Sequence, residues 1–288
     1  MYLKNGDGIC YLSDPIHGNT FKRKNLPEML SGAEIYCSWD GWLLMSKDME
    51  SIFFFNPFTA EQGEYPRREM FCIVGIGFST LPTSLDCTTI VIFDTHDTTC
   101  FSFIHSREMA WRYVYQVNGR DFTAVCNPVF LDTAFYVLGS NGNLGVFNLN
   151  IGEGHCDVLA KPERPCNSFS HGYLVECDGE LLSVFVGHLG KWVEVFRLNR
   201  TDMVWVKIES LGNHMLFVSD SSCVWAVAKT PEMGNKIYFP RFYGETQSII
   251  FYSLETKRYH CFGYEISLEN FYGTRKLNNC CWVEPNGF

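Results

Sequence analysis

"GYLVECDGELLSVFVGHLGKWVEVFRLNRTDMVWVKIES" runs from Gly172 to Ser210. Its apolar residues fall into four short runs, "GYLVECD", "ELLSVFVG", "WVEVFRL" and "VWVKIE", rich in Val, Leu, Phe and Trp. Between them lie Asp178-Gly179, His188 to Lys191 and Asn199 to Asp202, residue types that tight turns use. Runs of about five to eight residues with β-branched and aromatic enrichment read as strands, and no helical spacing is sustained across them. The stretch predicts one antiparallel sheet of four strands, each following the last through a short turn.

The same grammar recurs along the chain. An aromatic strand residue, a polar turn and a second strand appear at Tyr11, Phe55, Phe103, Phe147, Phe196 and Tyr252, a mean spacing of about 48 residues. That is the length of a β-propeller blade. Four-strand readings also fit "IYCSWDG / WLLMSK / SIFFFNP / QGEYP" and "NPVFLD / AFYVLG / LGVFNL / CDVLA". The first period opens only at its third strand, "ICYLSDP", while "NNCCWVEP" near the other end is a strand with no blade of its own. Pairing the two ends would close a ring and remove exposed edges. The expectation is an all-β chain, a β-propeller of six blades of four antiparallel strands, with residues 1–288 as a single domain. A seventh blade is allowed if Asn213 to Phe262 holds more than four strands. Helical turns are expected only around Leu26–Leu30 and Ser267–Asn270.

Composition narrows the function classes. Of 288 residues 46% are apolar, with 24 Phe, 14 Tyr and 7 Trp, enough for a large core. The net charge of −9 lacks the basic stripe of a nucleic-acid binder. The apolar runs stop short of a membrane span and the opening "MYLKNGDGICYL" is too polar for a signal peptide. The 13 cysteines are odd in number and scattered, Cys72, Cys126, Cys223 and Cys261 among apolar neighbours. They read as reduced, buried thiols of a cytoplasmic or nuclear protein.

Known propeller signatures sort the chain further. It has no Gly-Gly doublet of the kelch type, and its one Gly187-His188 and one Trp39-Asp40 lie in different periods, unlike a WD40 blade. "SWDGW" also departs from the sialidase-type Asp box, since Gly41 directly follows Asp40. "GWLLMSKDMESIFFFNPFTAEQGEYP" (Gly41–Pro66), "SDSSCVWAVAKTPEMGNKIYF" (Ser219–Phe239), "SIIFYSLETKRYHCF" (Ser248–Phe262) and "CCWVEPN" resemble, in order and spacing, the plant F-box-associated KIB-type β-propeller family. The resemblance implies a non-enzymatic module that recruits a protein target to a cullin-type ubiquitin ligase. Members of that family usually carry an F-box before the propeller. "NLPEMLSG" (Asn25–Gly32) has the Leu-Pro start of one but turns into strand within a few residues, so it reads as a loop between blades. Coupling to the ligase scaffold would then need an F-box supplied elsewhere.

Reactive constellations are weak beside these patterns. None of the eight histidines has zinc-ligand spacing, and His155-Cys156 and Cys280-Cys281 are neighbours that a strand would point to opposite faces. No metal, cofactor or catalytic residue is expected. "DTHDTT" (Asp94–Thr99) gathers carboxylates and an imidazole but follows a strand and reads as a polar turn. "GSNGNLG" (Gly139–Gly145) joins two strands and reads as a hairpin turn, with no helix for a phosphate cradle. The alternative function is a propeller glycoside or ester hydrolase, with Asp94 and Asp97 as its only candidates; three or more carboxylates or histidines converging on the central channel would favour it. Binding is expected on loops joining second to third strands and successive blades. Arg67 and Arg68, His188 in "VGHLGK", and Arg241, Phe242 and Tyr243 are the candidates for contact with a protein target of unknown identity, Arg and Tyr being enriched where interfaces concentrate energy.

Overall fold

A computed structural model describes residues 2–6, 9–14, 20–23, 30–48, 51–67, 72–95, 98–118, 122–148, 155–159, 161–166, 168–245 and 248–284. The fold is all-β. β1 (Tyr2–Gly6), β2 (Ile9–Ser13) and β3 (Thr20–Arg23) begin the first sheet. The second holds β4 (Glu34–Trp39), β5 (Trp42–Ser46), β6 (Ile52–Phe55) and β7 (Gln62–Glu64). The third holds β8 (Ile73–Phe78), β9 (Thr88–Thr95), β10 (Thr98–His105) and β11 (Arg112–Asn118). The fourth holds β12 (Val129–Leu131), β13 (Ala134–Leu138), β14 (Leu144–Asn148) and β15 (His155–Val158). The quoted stretch forms the fifth, β16 (His171–Cys177), β17 (Glu180–Val186), β18 (Val193–Asn199) and β19 (Val204–Ile208). In the sixth sheet are β20 (His214–Val218), β21 (Cys223–Val227), β22 (Lys236–Tyr243), β23 (Ile249–Ser253), β24 (Arg258–Cys261), β25 (Ser267–Leu268) and β26 (Thr274–Lys276). The last strand, β27 (Cys280–Trp282), returns to the first sheet and pairs antiparallel with β1.

Turn chemistry sets the register. Asp178 and Gly179 have φ of 54° and 77°, and Asp40 and Gly41 have 48° and 78°. Both pairs make the two-residue turns whose positive φ suits Asp-Gly, linking Cys177 to Glu180 and Trp39 to Trp42. Asn199 accepts the backbone N–H groups of Thr201 and Asp202 at 3.0 and 3.2 Å, which folds the chain from β18 into β19.

Three sequence expectations change. The chain's own start supplies β1, so the C-terminal end contributes one strand to the first sheet, not two. Asn213 to Phe262 does hold more than four strands, but they join one sheet in the order β21-β20-β22-β23-β24-β25, with β20 parallel to β22. The β20–β21 hairpin is folded in on the inner side, so β20 runs against the direction an ordinary inner strand would take. Ser267–Leu268 is strand, where the sequence suggests a helical turn. Of the other expected helical turn, Leu26 to Met29 lie outside the described residues, and Leu30 is a buried residue in a 3-10 turn leading into β4.

The runs are more continuously apolar than one-faced strands because each sheet is covered on both faces. In β6, Phe53 and Phe55 pack with Leu12, Cys281 and Val283 toward the first sheet. Phe54 points the other way and meets Phe78 of the third, ring centroids 5.0 Å apart. Phe103 and Phe147 meet at 5.4 Å between the third and fourth sheets. Phe196 and Trp205 pack between the fourth and fifth, where the Trp205 indole N–H donates to the Gly142 carbonyl at 2.8 Å. Apolar clusters between fifth and sixth, and between sixth and first, complete the circuit. The inner strands neighbour one another in the order β27, β4, β8, β12, β16, β21, and β22 lies beside β27.

A buried polar seam locks the circuit where the sixth sheet meets the first and second. Trp282 N–H donates to Ser222 Oγ at 2.7 Å, and its indole N–H donates to Val218 O at 3.2 Å. Ser221 Oγ–H donates to Cys280 O at 2.9 Å, and Ser38 N–H donates to Ser221 O at 3.1 Å. Ser38 Oγ–H donates to the Trp282 carbonyl. Removing a buried acceptor strands its donor at a cost of roughly 1–3 kcal/mol, whereas removing a hydroxyl that has no partner costs little. Urea unfolding should therefore show Ser222→Ala destabilised by about 1–3 kcal/mol. Ser183→Ala should be close to neutral, because the Ser183 hydroxyl is buried without a partner among the described residues. Phe147→Ala, which empties an inter-sheet core, should cost about 3–5 kcal/mol.

Candidate functional site

The inner strands enclose a cavity of about 120 Å³ on the ring axis, lined by residues of β4, β8, β16 and β21, the segment leading into β12, and Glu284 after β27. Close approach keeps it narrow. A side chain at Gly77 of β8 would meet the Pro128 ring at 2.9 Å. Asn127 spans the axis: its amide donates to Tyr36 O at 2.9 Å and Asp220 O at 3.3 Å, and its carbonyl accepts the Ile76 N–H at 3.0 Å. The described lining carries two carboxylates, Glu176 and Glu284, and no histidine. Glu176 accepts the Gly179 N–H at 2.7 Å and the Trp225 indole N–H at 3.3 Å, which engages both oxygens in structure. Burial, with Asp40 nearby, raises the Glu284 pKa. This lining falls short of three convergent acids or imidazoles. Asp94 is elsewhere, on β9 beside the β9–β10 turn, where it accepts the Thr99 hydroxyl at 2.7 Å; Asp97 lies outside the described residues.

Charged and aromatic groups collect instead at the end of the ring where β16 begins. Asp220, on the turn between β20 and β21, borders hollows of about 430 Å³ and about 300 Å³, on either side of a narrow well of about 20 Å³. Arg241, His171, Tyr173, Phe271 and Lys276 line the well with it. β22 presents Arg241 there because alternate residues of a strand share a face, and β26 pairs Lys276 directly opposite it. Lys276 forms an ion pair with Asp220. The Arg241 guanidinium lies 4.3 Å over the Phe271 ring, and its Nε–H donates to Thr274 Oγ1 at 3.0 Å. Phe271 N–H in turn donates to Leu189 O at 2.8 Å, which ties the His188–Gly190 turn to the same rim. Gly190 is required there: its φ is 72°, and a Cβ would meet the Phe271 ring at 2.7 Å.

Of the sequence candidates, the structure brings Arg241 and the His188 turn together through Phe271. Tyr243 is half-buried beside Gly273 of the same rim. Phe242 is a correction: at 7% exposure it packs into the core between the sixth and first sheets, because it faces opposite to Arg241 and Tyr243. Arg67 is exposed after β7, next to Pro66, whose carbonyl accepts the Trp111 indole N–H at 3.0 Å. That position belongs to the junction of second and third sheets and not to the rim. Arg68 lies outside the described residues. His171, Asp220, Phe271 and Lys276 are rim residues that the sequence reading misses. The signals available are His171 two residues before Tyr173, on one strand face, and the polar "SDSS" set in an apolar stretch. Among the eleven cysteines whose side chains are described none is in a disulfide; Cys72 is exposed, against expectation, while Cys261 is buried and Cys126 and Cys223 are half-buried.

The profile of the KIB1-4 beta-propeller family matches residues 11–261. The chain belongs to that family. This KIB1-4 propeller is 31% identical over 252 residues to the F-box protein At1g49360 of Arabidopsis thaliana, covering 84% of this chain and 51% of that protein. It is also 31% identical over 297 residues to the F-box/kelch-repeat protein At1g57790 of the same plant, covering 99% and 81%. The chain thus spans about half the length of the first relative and four-fifths of the second. Among solved structures it shares the fold of TolB from Acinetobacter baumannii, with TM-score 0.53 and 9% identity over 98% of this chain and 65% of that one.

Enclosure at the rim lowers the His171 pKa below its usual 6.5; Asp220 opposes this, and Lys276 and Arg241 add to it. The folded protein then binds fewer protons at this residue than the unfolded chain between 6.5 and the lower folded value. This group's contribution to stability falls as pH drops through that window. An NMR titration of the ring should give a midpoint below 6.5, raised by Lys276→Gln, which removes a cation and frees Asp220, and lowered further by Asp220→Asn.

Proposed function

We propose that this KIB1-4 propeller is the target-recruiting module of an F-box-type ubiquitin ligase subunit, working in the cytoplasm or nucleus. It binds a protein through the rim around Asp220 and Arg241. Support for the ligase context comes from the relatives, which are F-box proteins. Support for the rim comes from one observation: the axis is narrow and its polar groups are spent on structure, while an oriented guanidinium, an imidazole and the half-buried Phe271 ring gather at one end. Tyr272, 85% exposed and adjacent to Phe271, is a further aromatic contact on that rim. Arg and Tyr concentrate binding energy in interfaces because they combine apolar area with directional donors.

Affinity capture from plant extract treated with a proteasome inhibitor tests this with face-specific variants. Arg241→Glu and Lys276→Glu at the rim should each lose most of a protein captured by the parent. Arg197→Glu and Lys207→Glu, exposed on β18 and β19, should retain it. Equal capture by all four variants would exclude the rim as the binding face. Expression of the chain in plant cells should also change the ubiquitylated fraction of the captured protein; an unchanged fraction would remove the ligase assignment and leave the binding module.

A further inference from the structure

The geometry points to a carboxylate-binding subsite in the well beside Arg241, made to receive one carboxylate of a partner peptide, from either an acidic side chain or a chain terminus. The inference rests on the reading of the disc as a protein-binding module and names the chemistry that module would recognise.

Three observations carry it. First, the guanidinium is fixed before any ligand arrives. The Phe271 ring holds one face at 4.3 Å, and Thr274 Oγ1 takes the Nε–H at 3.0 Å while donating its own proton to Phe271 O at 2.7 Å. The two terminal amino groups have no hydrogen-bond partner among the described residues. A half-buried guanidinium with an oriented, unfilled fork matches a planar bidentate acceptor. Second, the charge count in the well favours a single negative charge. Lys276 is neutralised by Asp220, and His171 is held toward its neutral form, so Arg241 is the uncompensated charge among the lining groups. A carboxylate would balance it, whereas a doubly charged phosphate would leave an excess beside Asp220. Third, there is room at the well's mouth: one carboxylate oxygen occupies the well and the rest of the group lies in the openings beside it. The well of about 20 Å³ holds about one water-sized group, and it opens between hollows of about 430 and 300 Å³ that give room for the rest of a peptide.

Neighbouring groups provide a reporter. His171 faces Asp220, Arg241 and Lys276, with Tyr173 stacked on its own strand and Arg164 across the larger hollow. A bound carboxylate adds negative charge beside the imidazole and raises its pKa.

The isotope-labelled chain should be titrated with N-acetylalanine, whose carboxylate is terminal, with the α-amide of N-acetylaspartate, whose carboxylate is on the side chain, and with inorganic phosphate. The α-amide of N-acetylasparagine serves as the neutral control. Saturable shifts of the Arg241 Nε–H and His171 ring signals are expected with at least one carboxylate, with Kd on the order of millimolar for so small a ligand. The His171 midpoint should rise in the complex, and the tighter of the two carboxylates identifies the source. Arg241→Gln should weaken binding at least about tenfold. If Arg241→Gln melts below the parent, Thr274→Val takes its place, since it keeps the charge and removes the anchor; it should weaken binding about threefold. No saturable shift, equal shifts with the asparagine control, tighter binding of phosphate than of both carboxylates, or undiminished binding by the folded variant would each overturn the subsite. Carboxylate binding without any rim-dependent protein capture would fault the proposed function alone. Rim-dependent capture without carboxylate binding would fault this inference alone.

Discussion

Ring closure at Trp282 is the constraint on which the rest of the structure depends. A strand contributed from the far end of the chain must find β1 and stay there, and edge pairing over the three residues of β27 is a slender hold. The "SDSS" turn supplies what the ladder lacks. Ser222 and Ser221 reach Trp282 and Cys280, Ser38 ties the same strand to β4, and Asn279 exchanges hydrogen bonds with Ile35 N–H and Ala33 O at 3.0 Å each. The serine and Trp282 groups are buried and Asn279 half-buried, so the buried donors must have their acceptors, and the set is satisfied only when the first, second and sixth sheets are all in register. Polar specificity at the closure complements apolar packing elsewhere. The cores make association favourable, and the seam makes one arrangement of the ends better than its slipped neighbours.

Closure in turn decides where a ligand can be met. Drawing the inner strands together brings Gly77 against Pro128 and places Asn127 across the axis, so little of the channel is left open. The same "SDSS" turn that fastens Trp282 with its serines projects Asp220 outward at the rim, where it pairs with Lys276. A candidate binding residue therefore sits among three structural serines within four consecutive residues. The β20–β21 hairpin is what makes this possible, because folding an additional pair of strands inward carries the turn to the axis and exposes its one charged residue.

Legibility in the sequence followed the range of the interactions. Short-range features read well. Short β-branched and aromatic runs set between polar turns located β16 to β19 within a residue or two, and the Asp178-Gly179 turn with positive φ fixes the pairing of β16 with β17. The inter-sheet roles of Phe147, Phe196 and Trp282 were likewise readable, because a run apolar on both faces must be covered on both. The parallel pairing of β20 with β22 was not, as nothing in either strand specifies a partner eight or more residues beyond a hairpin. Phe242 is misjudged when Arg241, Phe242 and Tyr243 are treated as one loop; once they are a strand, strict alternation buries the middle residue. The rim escaped for a different reason. His171, Asp220, Arg241 and Lys276 come from four separate segments and meet only after the ring has closed, so no local spacing announces them.

An acidic protein with a cationic well has two electrostatic ranges to reconcile. The net charge of −9 repels an acidic partner at distances comparable with the Debye length, about 8 Å at physiological salt. The Arg241 fork attracts it only within the well, where the aromatic floor and partial burial reduce screening. Salt therefore acts in opposite directions on the two steps, easing approach while weakening the final contact less than it would an exposed pair. Such an arrangement favours discrimination over speed. Partners carrying diffuse acidity are held off by the whole molecule, and one that presents a single carboxylate in the right place, on a peptide otherwise neutral or basic, is the kind this surface would retain.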